Sequence, residues 1–122
     1  MMIALSIVSM TAFAQARDSE GAAHRVVILN AADPYLPAFL ALDRSLREAI
    51  TRAEHGAPTE FYAETLDMFR FPQTLLAEDI VALLRKKYRG LKVDVVVAAG
   101  SIALDFAQRY RAEIWPGAAI VF

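Results

Sequence analysis

Short apolar runs separated by stretches of helical periodicity constrain this chain more than any other feature. His24–Asn30 (HRVVILN), Lys92–Ala99 (KVDVVVAA) and Ala118–Phe122 (AAIVF) are too short for buried helices and rich in β-branched residues, so they read as buried strands. Thr59–Leu66 is also rich in strand formers. After the first run, Phe39, Leu42, Leu46, Ala49 and Ile50 recur at helical spacing, with Asp43, Arg44, Arg47 and Glu48 on the remaining positions. The spacing predicts a second helix with Leu76, Ile80, Leu83, Leu84 and Tyr88 on its inner side. Lys86, Lys87 and Arg89 gather near its C-terminus, where cations suit the helix dipole, and Gly90 stops it. Gly100-Ser101 opens a third helix carrying Ile102, Phe106, Tyr110 and Ile114, which Trp115-Pro116-Gly117 breaks. Ala31–Pro37, Glu54–Pro58 and Asp67–Pro72 are loops and turns.

Strands that alternate with amphipathic helices imply an α/β fold with an open parallel sheet, because parallel neighbours need a crossover and helices supply it. Continuous runs such as Val95-Val96-Val97 fit strands covered on both faces. The expected order is 2-1-3-4, as in flavodoxin-like sheets. Right-handed crossovers then place the first helix on one face and the second and third on the other. Strands three and four are left bare on the first helix's side, and a naked apolar face is not tolerated in a soluble monomer. The expectation is therefore a half-lobe: the opening part of a larger protein, truncated just after its fourth strand.

Met1–Ala16 (MMIALSIVSMTAFAQA) carries no charged side chain, and Ala12-Phe13-Ala14 and Ala14-Gln15-Ala16 both read as A-x-A cleavage sites. That is the pattern of a secretory signal peptide, although no Lys or Arg precedes the apolar run. The segment is short of the roughly 20 apolar residues a membrane span needs; a buried N-terminal helix is the alternative. Residues 17–23 read as a polar linker, and 24–122 as one partial lobe. The leader accounts for much of the 57% hydrophobic content. With no cysteine, the chain has no disulfide framework, thiolate nucleophile or cysteine-ligated zinc. His24 and His55, its two histidines, are too few for a three-histidine metal site and read as solvated surface residues. A net charge of −1 without a basic run argues against a nucleic-acid partner.

In an open α/β sheet, ligands bind beyond the carboxyl ends of the strands, where strand order reverses. Here that is between strands one and three. The loops Asn30–Tyr35 and Ala99–Ser101 meet at this crevice. Asn30, Asp33, Tyr35, Glu64, Gly100 and Ser101 are the candidate ligand-binding residues, with Asp67 further along the rim. Gly100 lets a backbone approach a ligand, the amides beside Ser101 suit an anion, and Tyr35 offers an aromatic face and a hydroxyl. Simpler roles stand beside these. Ser101 reads as a helix N-cap, Asp33-Pro34 as a turn initiator, and Glu64 and Asp67 as solvated charges. Phe69 and Phe71 read as a lid over the sheet edge, and Trp115 as an anchor for the third helix.

Enzyme signatures are absent. The chain has no G-x-x-x-x-G-K-[ST], no G-x-G-x-x-G after its first strand and no G-x-S-x-G elbow. Phosphorylatable receiver chemistry would need an aspartate ending strand three. That strand ends Ala98-Ala99-Gly100, and Asp94 sits at its other end. No catalytic residue, metal site or cofactor is expected.

RVVILNAADPYLPAFLALDRSLREAI, EFYAETLDMFRFP and LLRKKYRGLKVDVVVAAGSIALDF, taken in order, resemble the N-terminal part of the ABC-transporter substrate-binding-like periplasmic domain. That domain is often found as the extracytoplasmic sensor of bacterial membrane histidine kinases and related signalling proteins. The resemblance spans Arg25 to Phe122 and rests on the elements D-P-Y-x-P-x-F, L-D-x-x-R-F-P and V-D-V-V-V-A-x-G-S-x-A-L. It implies two Rossmann-like lobes of the type I periplasmic-binding-protein kind, with a small organic solute between them. Asn30, Asp33, Tyr35, Gly100 and Ser101 would lie on the cleft side of the first lobe. The expected function is non-enzymatic solute binding or sensing in the periplasm, with a membrane tether in the full-length parent. The partner across the bare face would be a second lobe or a second copy. The alternative is a stand-alone flavodoxin-like homodimeric enzyme or interaction module.

Overall fold

The computed structural model describes residues 22–71 and 73–122, so the expected leader and all but the end of the linker lie outside the described residues. Within them, four strands alternate with three helices: β1 (His24–Asn30), α1 (Pro37–Ala53), β2 (Thr59–Thr65), α2 (Gln73–Lys87), β3 (Val95–Ala99), α3 (Ser101–Ile114) and β4 (Ala119–Val121). Every pairing is parallel and the order is β2-β1-β3-β4, as the sequence predicts. β1, the most apolar run, is flanked on both sides, and Val27, Ile28 and Leu29 are fully buried.

Residues paired in register across parallel strands point to the same face, so the ladder sorts the side chains into two sets. Val27 and Leu29 of β1 align with Val96 and Ala98 of β3, and these share a core with Val81 and Leu84 of α2, Tyr88 just after it, and Ala103, Phe106 and Ala107 of α3. Trp115 closes this core at the end of α3, as the sequence predicts, and its ring meets Tyr88 edge-on at 5.7 Å. Tyr62 of β2 meets the other side of Tyr88 at 5.9 Å. Each such aromatic pair is worth about 0.5–1.5 kcal/mol beyond its buried area.

The opposite face carries two rows, Phe61–Val26–Val95–Ala119 and Ala63–Ile28–Val97–Val121. α1 lies over the β1–β2 half of it. Its Arg47 guanidinium sits 4.9 Å from the centre of the Phe61 ring, and Ile50 and Ala53 line a cavity with Val26 and Val95. No residue of α1 is buried. On the β3–β4 half, Val95 and Val97 are only half-buried, while Ala119 and Val121 are exposed. The crossover argument thus holds in three dimensions: the late strands are covered on one side and open on the other.

Several local expectations are corrected. Along α2, Ile80 and Leu84 pack against the core as expected, with Val81 beside them and Tyr88 just beyond the helix end, but Leu83 lies about 100° from Leu84 around the helix and is 64% exposed. In α1, Phe39, Leu46 and Ile50 turn toward the sheet, leaving Leu42 and Ala49 exposed on a flank. Phe69 and Phe71 form no lid and stand in solvent. Strand pairing is shorter than the apolar runs: β3 begins at Val95, β2 ends at Thr65 and β4 covers Ala119–Val121. Val93, Leu66 and Ala118 nevertheless remain buried beside the strand ends. Gly100, with φ of 92°, occupies the N-cap position of α3 expected for Ser101, and Ser101 becomes the first helical residue with no side-chain cap bond.

The two helical layers differ in what they hold together. Leu29→Ala opens a cavity in the core and is expected to cost about 2–5 kcal/mol. Leu46→Ala, on the half-covered α1, is expected to cost about 1 kcal/mol or less. Urea unfolding followed by circular dichroism measures both.

Candidate functional site

The carboxyl edge of the sheet brings the β1–α1 and β3–α3 loops together, because Asn30 and Ala99 are register partners at the strand ends. The first loop is tied down by its own side chains. Asn30 is 3% exposed; its Nδ2 donates to the Ala32 carbonyl and its Oδ1 accepts from the Ala32 amide, both at 3.1 Å. Asp33 Oδ1 accepts the Tyr35 amide at 2.9 Å, and the Asp33 carbonyl accepts that of Leu36 at 3.2 Å. This is the Asx-type turn that Asp-Pro predicts, and it delivers Pro37 into the first turn of α1, where a missing amide costs nothing.

The end of β2 is strapped to the same loop: the Leu66 amide donates to the Asn30 carbonyl at 2.8 Å and that of Met68 to the Ala31 carbonyl at 2.9 Å. Between them Asp67 has φ of 51°, left-handed backbone that an aspartate tolerates better than most residues. Its carboxylate accepts from Arg70 Nε at 2.8 Å. This bond, with a smaller contribution from the charge of Asp33, raises the Arg70 guanidinium above its ordinary range. Arg70, which the sequence reading did not single out, thus pairs with Asp67 within the loop after β2. Its signal was the short D-x-x-R spacing of Asp67 and Arg70.

Across the crevice, Gly100 and Ser101 are exposed at the start of α3. A Cβ built on Gly100 meets nothing within 4 Å, so the positive φ, and not crowding, is what favours glycine there. Tyr35 is 80% exposed. The edge is thus an open shelf. Asp33 and Tyr35 stand on a pinned loop, Gly100 and Ser101 follow the neighbouring end of β3, and Asn30 locks the floor. Asn30 spends its amide on the backbone and positions the loop.

Glu64 does not belong to this shelf. Its register partner Leu29 faces the core, so Glu64 points to the α2–α3 side, away from α1. Its side chain is 12% exposed, and Oε1 accepts from both the Tyr88 hydroxyl and Lys87 Nζ at the end of α2. The expected solvated rim charge is instead a half-buried acceptor that fastens α2 to β2. The period of two had the clue, since Glu64 shares its face with the core-packed Tyr62. His24 and His55 are exposed, as expected. Among the described residues no three His, Cys, Asp or Glu side chains converge to hold a metal ion, and no helix is long and apolar enough to cross a membrane.

Comparison with models of protein families, with curated proteins and with solved structures gives no match to this chain.

Burial and the bond to Glu64 both raise the Tyr88 phenol well above the ordinary tyrosine value of about 10. The folded state therefore holds this proton more tightly than the unfolded chain. The stability it contributes is fully present below pH ~10 and is lost as pH rises beyond that. Alkaline titration at 295 nm is expected to show Tyr88 resisting ionisation until the protein unfolds. Tyr88→Phe is expected to remove that lag and to cost about 1–3 kcal/mol at neutral pH, because it strips a hydrogen bond from a carboxylate.

Proposed function

We propose that this chain is one lobe of a two-lobe, non-enzymatic protein that binds or senses a small organic solute outside the cytoplasm. The observation that carries the reading is the carboxyl-edge shelf at the β1–β3 reversal. This is the place where open parallel sheets bind ligands, and here its first loop is tied by hydrogen bonds while the edge stays unenclosed. Asp33, Tyr35, Gly100 and Ser101 offer a carboxylate, a phenol, open backbone and a hydroxyl from two loops, and nothing on the shelf forms a nucleophile–base pair. A solute held there touches one surface only. Enclosure by a second lobe supplies the rest, and stronger binding to the closed arrangement is what converts occupancy into a signal. The apolar leader with its A-x-A sites supports export, and the order of the D-P-Y-x-P-x-F and A-x-G-S elements supports the substrate-binding-like family.

Thermal unfolding of the exported protein against a panel of small organic solutes tests this reading. A true ligand at 100 times its Kd is expected to stabilise by about 2.7 kcal/mol. Tyr35→Ala and Ser101→Trp, both at exposed positions, are expected to abolish the shift while leaving the unliganded Tm unchanged. A panel-wide absence of shifts, or a shift indifferent to both substitutions, overturns it.

A further inference from the structure

Between α2 and α3 lies a cavity of about 320 Å³. We propose that it is a binding site, separate from the carboxyl-edge shelf, for a small amphoteric molecule that carries an ammonium and a carboxylate on a compact apolar skeleton. The floor is apolar. Met68 and Phe106 are buried there, and Ala77 and Ile102 are half-buried. The Phe106 ring is braced by Tyr110, with 4.9 Å between the ring centres. Ala77, the contribution of α2 to the floor, is small and leaves volume between the helices. About two turns further along both helices, Arg85 of α2 and Glu113 of α3 close the gap with an ion pair at 3.8 Å.

The charged groups select the ligand. Glu78 of α2 and Asp105 and Arg109 of α3 line the same cavity, and all three are exposed. Among the described residues none of them makes an ion pair. Yet Asp105 and Arg109 have the i,i+4 spacing, acid first, that favours pairing on a helix. α1 contains this spacing twice, and both pairs are closed, Asp43–Arg47 at 2.8 Å and Glu48–Arg52 at 3.5 Å. Glu113, the other i,i+4 neighbour of Arg109, is taken by Arg85. An exposed pair of this kind is worth little, so a ligand recruits its two members at small cost. The Arg109 guanidinium offers the fork that fits a carboxylate. An ammonium has three protons to give, and Asp105 and Glu78 accept them from opposite helices. A cation alone leaves Arg109 facing a like charge, and an anion alone meets two carboxylates. The volume is at the lower end for ligand pockets, which keeps the skeleton small. The cavity lies between helices and not at the strand ends, so the inference does not rest on solute binding at the shelf.

The test is a titration of the ¹⁵N-labelled protein with L-leucine and with 5-aminopentanoate, which separate their two charges by one carbon and by four. At least one of them is expected to give saturable amide shifts centred on Ala77, Glu78, Ile102, Asp105 and Arg109. Pentylamine and pentanoate, with one charge each, are expected to bind at least tenfold more weakly. Arg109→Gln is expected to erase the advantage of the amphoteric probe over pentylamine. Asp105→Asn combined with Glu78→Gln is expected to erase its advantage over pentanoate. Both variants change exposed positions only and are expected to keep the unliganded Tm. The absence of saturable shifts with either amphoteric probe overturns the proposal. So does a single-charge analogue that binds equally well, or an affinity indifferent to Arg109→Gln. Shifts centred on Asp33 and Tyr35 that vanish in Tyr35→Ala also overturn it, and favour the shelf. Shifts at the α2–α3 cavity that persist in Tyr35→Ala support it, whatever the shelf binds.

Discussion

The handedness of the β-crossover governs this molecule. The chain leaves β1 for β2 in one direction, then passes back over β1 to reach β3 and continues to β4. Since each connection is right-handed, reversing the direction of travel reverses the face on which the helix lands. α1 is consequently alone on one side, while α2 and α3 share the other and build the core there. The same reversal parts the loops at the carboxyl end of β1 and β3 and so creates the shelf. One topological event thus produces both the crevice at the edge and the open half of the face.

Polar side chains near that edge are divided between holding the fold and facing solvent. Asn30 and Glu64 are largely withdrawn from water, and each is held by specific donors or acceptors. Tyr35 and Ser101 have no such engagements and remain available. The floor of this edge is fixed by hydrogen bonds inside the fold, while its exposed side chains make none.

α1 is joined to the rest by a cation–π contact and a half-buried stripe, and it buries no residue of its own. Such an element draws its stability from whatever packs beside it, because helix formation in proteins rests chiefly on tertiary burial of an apolar face. The pinned β1–α1 loop, which carries Asp33 and Tyr35, leads directly into that helix.

The strand order, the faces taken by the helices and the anchoring role of Trp115 were legible in the residues alone, because short apolar runs, 3.6-residue periodicity and crossover handedness leave few alternatives. The carboxyl edge was legible for the same reason. Which side chains on it stay free was not. Asn30 and Ser101 look equally polar in sequence, and only the folded loop shows that one bonds the Ala32 backbone while the other faces solvent. Glu64 found partners 23 and 24 residues away, in Lys87 and Tyr88. The rotation of α2 that exposes Leu83 and buries Val81 was settled by packing against β1 and β3. Local pattern determines what elements form and in what order they pair; the commitments of individual polar groups depend on neighbours distant in sequence, and only the tertiary structure brings those together.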